Sequence, residues 1–120
     1  MAKVVALVDD VFFQAKMLET ARQVGVELET YSTGDAFLAA ARQGTPALLI
    51  VDLNARGGAF EALDQLRATS NQRPVVAFLS HVQVELAERA RAAGCEQVLP
   101  RSKFTQNLAA ILAQARSDTS

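Results

Sequence analysis

Short apolar runs alternate with amphipathic stretches along the chain, five times over. Val4 to Val8, Ala47 to Val51 and Val75 to Leu79 are continuous apolar runs of strand length. A run without alternation suits a central parallel strand, which is buried on both faces. Val26-Glu27-Leu28-Glu29-Thr30-Tyr31 alternates instead, as an edge strand with one wet face should. Gln97-Val98-Leu99, ended by Pro100, is a short fifth candidate. Between these lie helical stripes. Phe104, Leu108, Ile111, Leu112 and Ala115 share one face of a last helix, for which Ser102 is the expected N-cap. Phe13, Met17, Ala21 and Val24 mark a first helix, and Phe37, Leu38 and Ala41 a second. Phe60, Leu63 and Leu66 mark a third, and Leu86, Ala90 and Ala93 a fourth. Gly25, Gly44 and Gly94 fall where helices should stop, as C′ glycines do.

Strand and helix repeated five times predict an α/β fold with right-handed crossovers. The edge-like second strand and the apolar first and third point to a doubly wound, flavodoxin-like (βα)5 arrangement. Its five-stranded parallel sheet takes the order 2-1-3-4-5. One domain over residues 1–116 and a short tail, 117–120, are expected. No linker, internal repeat or low-complexity tract interrupts the pattern.

Composition narrows the function. At 120 residues the chain is long enough for a full core without metal or disulfide staples. Half of it is hydrophobic and 21% is charged, so it should fold. Twelve Lys+Arg against 13 Asp+Glu leave a net charge of −1, which argues against gripping nucleic acid or an acidic membrane by bulk electrostatics. The single cysteine, Cys95, excludes an internal disulfide and a multi-cysteine zinc site, and is expected to pack as a small hydrophobe. No apolar run reaches the roughly 18 residues of a membrane span. The strand-like run that follows Met1-Ala2-Lys3 leaves no room for a signal peptide, so a cytoplasmic location is expected.

In such a sheet, ligands bind beyond the carboxyl ends of the strands, at the switch point between the first and third. Strand one ends in Asp9-Asp10 and strand three in Asp52, so the three carboxylates should converge. Like charges so close are costly without a cation, and a hard divalent ion such as Mg²⁺ is the natural answer. Strand four ends in Ser80, and Arg101 follows strand five. Simpler roles compete. Asp9-Asp10 could merely cap the first helix, Ser80 could cap the fourth, and Arg101 could be a solvated charge. His81 is expected to be a surface or loop residue rather than a catalytic base.

An acid pair, a central acid, a hydroxyl and a base, each at a different strand end, resemble the receiver domain of two-component response regulators. The matching stretches are Val4 to Asp10, Leu49 to Asn54, Val75 to Ser80 and Gly94 to Phe104, so the resemblance spans essentially the whole chain. It implies that Asp52 is the phosphoacceptor, attacking the phosphorus of a sensor histidine kinase, a phosphotransfer protein or a small donor. It implies that Asp9 and Asp10 hold Mg²⁺, with Mn²⁺ as a substitute, and that Asp52 and the Asn54 backbone carbonyl complete the ligands. Ser80 and Arg101 would contact the phosphoryl oxygens. The output would be a downstream protein bound through the face of helix four, strand five and helix five. No enzyme in the turnover sense and no direct nucleic-acid binding are implied, and homodimerisation stays open.

The chain departs from the family pattern at three places. Arg101-Ser102 stands where the family has Lys-Pro, and a planar guanidinium could clamp a phosphoryl group or tie up Asp52 in a resting salt bridge. Lys103 is a candidate substitute, expected to face outward. Val98 stands where an aromatic often sits, and it cannot perform a ring flip. Val11-Phe12-Phe13 makes the loop after the acid pair unusually apolar, a candidate contact patch. These departures support an alternative, a pseudo-receiver that binds partners constitutively. A flavodoxin-type flavin binder is disfavoured because Asp9-Asp10 would repel the flavin phosphate. An aspartyl phosphohydrolase would want a second acid where Asn54 stands.

Overall fold

The computed structural model describes residues 2–69, 71–80 and 83–117. The chain runs β1 (Lys3–Leu7), α1 (Val11–Val24), β2 (Glu27–Tyr31), α2 (Gly34–Gln43), β3 (Leu48–Asp52) and α3 (Ala59–Ala68). It continues through β4 (Val75–Leu79), α4 (Val84–Ala92), β5 (Gln97–Pro100), α5 (Arg101–Gln106) and α6 (Leu108–Ser117). The five strands form one parallel sheet in the order β2-β1-β3-β4-β5, as the alternation of patterns predicts.

Successive strand residues point to opposite faces, so each apolar run feeds two cores. Val5, Leu7, Leu49, Val51, Val75 and Ala77 pack with Phe37 and Leu38 of α2 and Leu63 and Leu66 of α3. Val4, Ala6, Leu48, Ile50, Val76 and Phe78 pack with Phe13, Met17 and Ala21 of α1 and with Phe104, Leu108, Ile111 and Leu112. In the second core Phe78 stacks on Phe104 with centroids 4.3 Å apart and meets Phe13 edge-on at 5.3 Å. On the edge strand β2, Leu28 is buried while Glu29 pairs with Lys3 at 3.1 Å.

Three local expectations are corrected. The stripe from Phe104 to Ala115 is buried as read, but it belongs to two helices separated at Asn107. The Asn107 amide side chain donates to the Lys103 carbonyl at 2.9 Å, closing the turn locally. Ser102 is inside α5, whose N-cap is Pro100, so it caps nothing. Gly44 ends α2 in an extended conformation (φ −117°), whereas Gly25 ends α1 in the left-handed region (φ 78°) as a C′ glycine should.

A contact between two loops sets the shape of the sheet edge. The Gly34 N–H donates to the Gly57 carbonyl at 2.7 Å, joining the start of α2 to the β3–α3 loop. A Cβ on Gly57 would lie 2.6 Å from the Ser32 carbonyl oxygen and 2.8 Å from Thr33 Cα, so only glycine fits this approach.

Residues 118–120 of the expected tail lie outside the described residues, and residue 117 is the last of α6. Among the described residues, no helix is long and apolar enough to cross a membrane.

Candidate functional site

Parallel strands leave the sheet at one edge, and Leu7 lies opposite Val51 while Asp52 lies opposite Phe78. The chain therefore delivers Asp9 and Asp10 from β1, Asp52 from β3, Ser80 from β4 and Arg101 from β5 to the same place. With Asn54, all six line one open cleft of about 520 Å³, whose rim includes Val11, Phe12 and Arg56.

Within the cleft the carboxylates are engaged. Asp10 is the N-cap of α1: its Oδ1 accepts from the Phe13 N–H at 3.1 Å. Its Oδ2 accepts from Arg101 at 3.2 Å, so one side chain both caps the helix and pairs with the cleft's arginine. Asp52, only 2% exposed, accepts from the Asn54 N–H on Oδ1 at 2.9 Å and from Arg101 on Oδ2 at 3.4 Å. Asp9 Oδ2 accepts from the Arg56 N–H at 2.8 Å, with the Arg56 guanidinium 3.7 Å away. The Asn54 side chain bridges two loops: Oδ1 accepts from the Ser80 N–H at 2.6 Å, and Nδ2 donates to Gln83 Oε1 at 3.2 Å.

Arg101 is the centre of this arrangement. Its guanidinium carbon lies 4.6 Å from the Phe13 ring centroid and 5.6 Å from that of Phe78, within cation–π range. Its Nε is buried without a hydrogen-bond partner among the described residues. Lys103 is exposed and outside the cleft lining, as expected. Ser80 is exposed and does not cap α4, whose N-cap is Gln83. Val98 is half-buried against the first core. Of the apolar loop, Val11 is 70% and Phe12 87% exposed, but Phe13 turns into the core, so the surface patch is smaller than expected. His81 lies outside the described residues. Cys95 is buried, and burial pushes its thiol up to about 11.

The two acids that share Arg101 titrate in opposite directions. The Phe13 backbone N–H, then Arg101, hold Asp10 below its ordinary range. Burial raises Asp52 above it, against the Asn54 N–H and Arg101, and the charge on Asp9 adds to the rise. The stability that Asp10 contributes is therefore present at neutral pH and lost as acid protonates it. Asp52 does the reverse: its ionised form is penalised, so its contribution is greatest in acid and is lost as pH rises above the ordinary carboxyl range. Carboxyl NMR titration should show this order. Burial disfavours the ionised form of Asp52, so Asp52→Asn should raise stability at pH 7, with the gain shrinking as pH falls toward the ordinary carboxyl range. A loss of stability in Asp52→Asn at pH 7 would contradict this assignment.

Hard oxygen donors suit a divalent cation in kind. As arranged, they do not fit one: among the described residues no group of three or more His, Cys, Asp or Glu side chains is gathered to hold a metal. Both oxygens of Asp10 and of Asp52 already accept hydrogen bonds, and the Arg101 guanidinium bridges the pair. Arg56 is not marked in the sequence as part of this cleft beyond being a cation four residues after a strand-end acid. The ring seat of Arg101 leaves no sequence signal either, because it joins residues distant along the chain.

No model of a protein family matches the chain, and no curated protein matches it. Solved structures do. The Francisella response regulator 1452 receiver domain aligns over all of both chains at TM-score 0.86 and 15% identity. The chemotaxis response regulator CheY4 of Vibrio cholerae covers 96% of this chain and 98% of its own at TM-score 0.83 and 24% identity. NtrX from Brucella abortus, solved in complex with ADP, matches 99% of this chain at TM-score 0.80 and 22% identity. This chain spans 27% of the NtrX chain. In the order of its sheet and in its overall alignment with these structures, the chain has the receiver-domain fold of response regulators.

Proposed function

We propose that the chain is a receiver-fold signalling module that acts by binding other proteins, and that its cleft, though open to solvent, is closed chemically because its own arginine occupies Asp10 and Asp52. The observation that supports this most is the Arg101 guanidinium bridging Asp10 and Asp52. Asp52 is nearly inaccessible and both its oxygens are occupied, which makes it a poor nucleophile in this arrangement. Half-buried Val98, which has no ring to rotate, leaves the usual readout without its moving part. The protein surface for a partner would include the face of α4, β5, α5 and α6, where the resemblance to receivers puts it.

A second reading keeps Asp52 as a phosphoacceptor, and the cleft lined by all six expected residues favours it. There, an Asp52 oxygen would bond to phosphorus as the phosphorus–nitrogen bond of a phosphohistidine or phosphoramidate breaks, with the nitrogen leaving protonated. Arg101 would then pair with the transferred group instead of with Asp52. A sensor kinase or phosphotransfer protein would be the donor.

Intact mass after incubation with a phosphoramidate donor and Mg²⁺ separates the two. The expected result is no adduct on the wild type and unchanged partner binding with and without donor. A phosphoryl adduct on the wild type that disappears in Asp52→Asn would overturn the closed-cleft reading and establish the second.

A further inference from the structure

The geometry points to Arg101 as a built-in counter-ion that takes the place of a divalent metal in this cleft. The inference rests on the closed-cleft reading and deepens it, by naming what meets the charge of the gathered acids. Converging carboxylates need positive charge nearby. Here the chain supplies it: Arg101 lies 3.2 Å from Asp10 and 3.4 Å from Asp52, and Arg56 meets Asp9.

The guanidinium is also fixed from the side. Phe13 and Phe78 lie within 4.6 and 5.6 Å of its carbon, and these rings are locked against each other and against Phe104. Such a seat suits a flat, weakly hydrated cation and not a compact ammonium. Two costs have been accepted to place it there. Its Nε is buried without a hydrogen-bond partner among the described residues, and a cation in the first turn of α5 sits at the unfavourable end of the helix dipole. The carboxylates and the rings together offset both. A divalent ion that took the Arg101-bound oxygens of Asp10 and Asp52 as ligands would have to displace the guanidinium from both.

Removing the guanidinium should therefore create a demand for metal that the wild type lacks. Mg²⁺ and Mn²⁺ are titrated at constant ionic strength into wild type, Arg101→Gln and the Arg101→Gln/Asp52→Asn double variant, read by calorimetry and thermal melting. Arg101→Gln is expected to bind Mg²⁺ at least about tenfold more tightly than wild type. Its melting temperature should rise with Mg²⁺, and the added Asp52→Asn should abolish the gain. Wild type binding Mg²⁺ as tightly as Arg101→Gln would overturn the assignment, as would a folded Arg101→Gln indifferent to both ions. If Arg101→Gln folds only with a divalent ion and not with matched Na⁺, the assignment is supported. If it folds under neither condition, Arg101→Met decides: it removes the charge but keeps an apolar side chain against the Phe13 and Phe78 rings, so a gain in Mg²⁺ affinity supports the assignment and no gain overturns it. Labelling by a phosphodonor reads a different property. Metal-free labelling of the wild type would remove the closed-cleft reading and leave the counter-ion role standing.

Discussion

Phe78→Ala is expected to cost about 3–5 kcal/mol of folding stability, a fall in melting temperature on the order of 10–20 °C. Phe78 is fully buried near the carboxyl end of β4, stacked on Phe104 and edge-on to Phe13. Its removal leaves a cavity between strands and helices that already pack against one another, so little collapse is available. The same ring forms part of the seat for Arg101 and lies opposite Asp52 in the sheet. The variant should therefore weaken the site as well as the core. Urea unfolding of Phe78→Ala beside Phe78→Leu measures the first effect. A loss below about 1 kcal/mol in the alanine variant would show that this core relaxes around the gap.

The second large effect is expected at Gly57. Here the obstacle is backbone, which cannot rotate away as a side chain can. An alanine Cβ would press on the Ser32 carbonyl and Thr33 Cα and force apart the loops joined by the Gly34–Gly57 hydrogen bond. The cost should be about 1–3 kcal/mol. Gly44→Ala is the control: its backbone is extended and the nearest atom to a new Cβ is the flexible Lys3 Nζ at 3.7 Å. Thermal melting compares the two, and amide exchange at Gly34 and Arg56 reports whether the loops separate. Equal stability of both variants would mean that the close approach is not a constraint.

The sheet was legible because its physical cause is periodic. Central strands buried on both faces must read as unbroken apolar runs, and the runs ending at Val8, Val51 and Leu79 fall within a residue or so of β1, β3 and β4. Parallel direction then brings Asp9, Asp10, Asp52, Ser80 and Arg101 to one edge without further information. Contacts between those residues were less legible. Whether Arg101 would clamp a ligand or close on Asp52 depends on Phe13 and Phe78, one in a helix and one in a strand, and on the rings behind them. Phe13 also shows how one residue can serve two patterns. It is the first member of the α1 stripe with Met17 and Ala21, and equally the third member of an apolar tripeptide after the acids. Packing decided for the stripe and left Phe12 outside. The break at Asn107 was hidden for a similar reason, since both sides of it feed the same buried face.

The seam between β5 and α5 has a mechanical meaning. Pro100 is the last residue of the strand and Arg101 the first of the helix, with no loop between them. A cation carried on a loop can be swung aside by moving the loop. Arg101 is a peg set at a joint without slack, its backbone held by the sheet on one side and by a helix on the other. It can leave its carboxylates only by turning its own side-chain bonds, so opening the cleft would be a local act that the rest of the sheet need not feel.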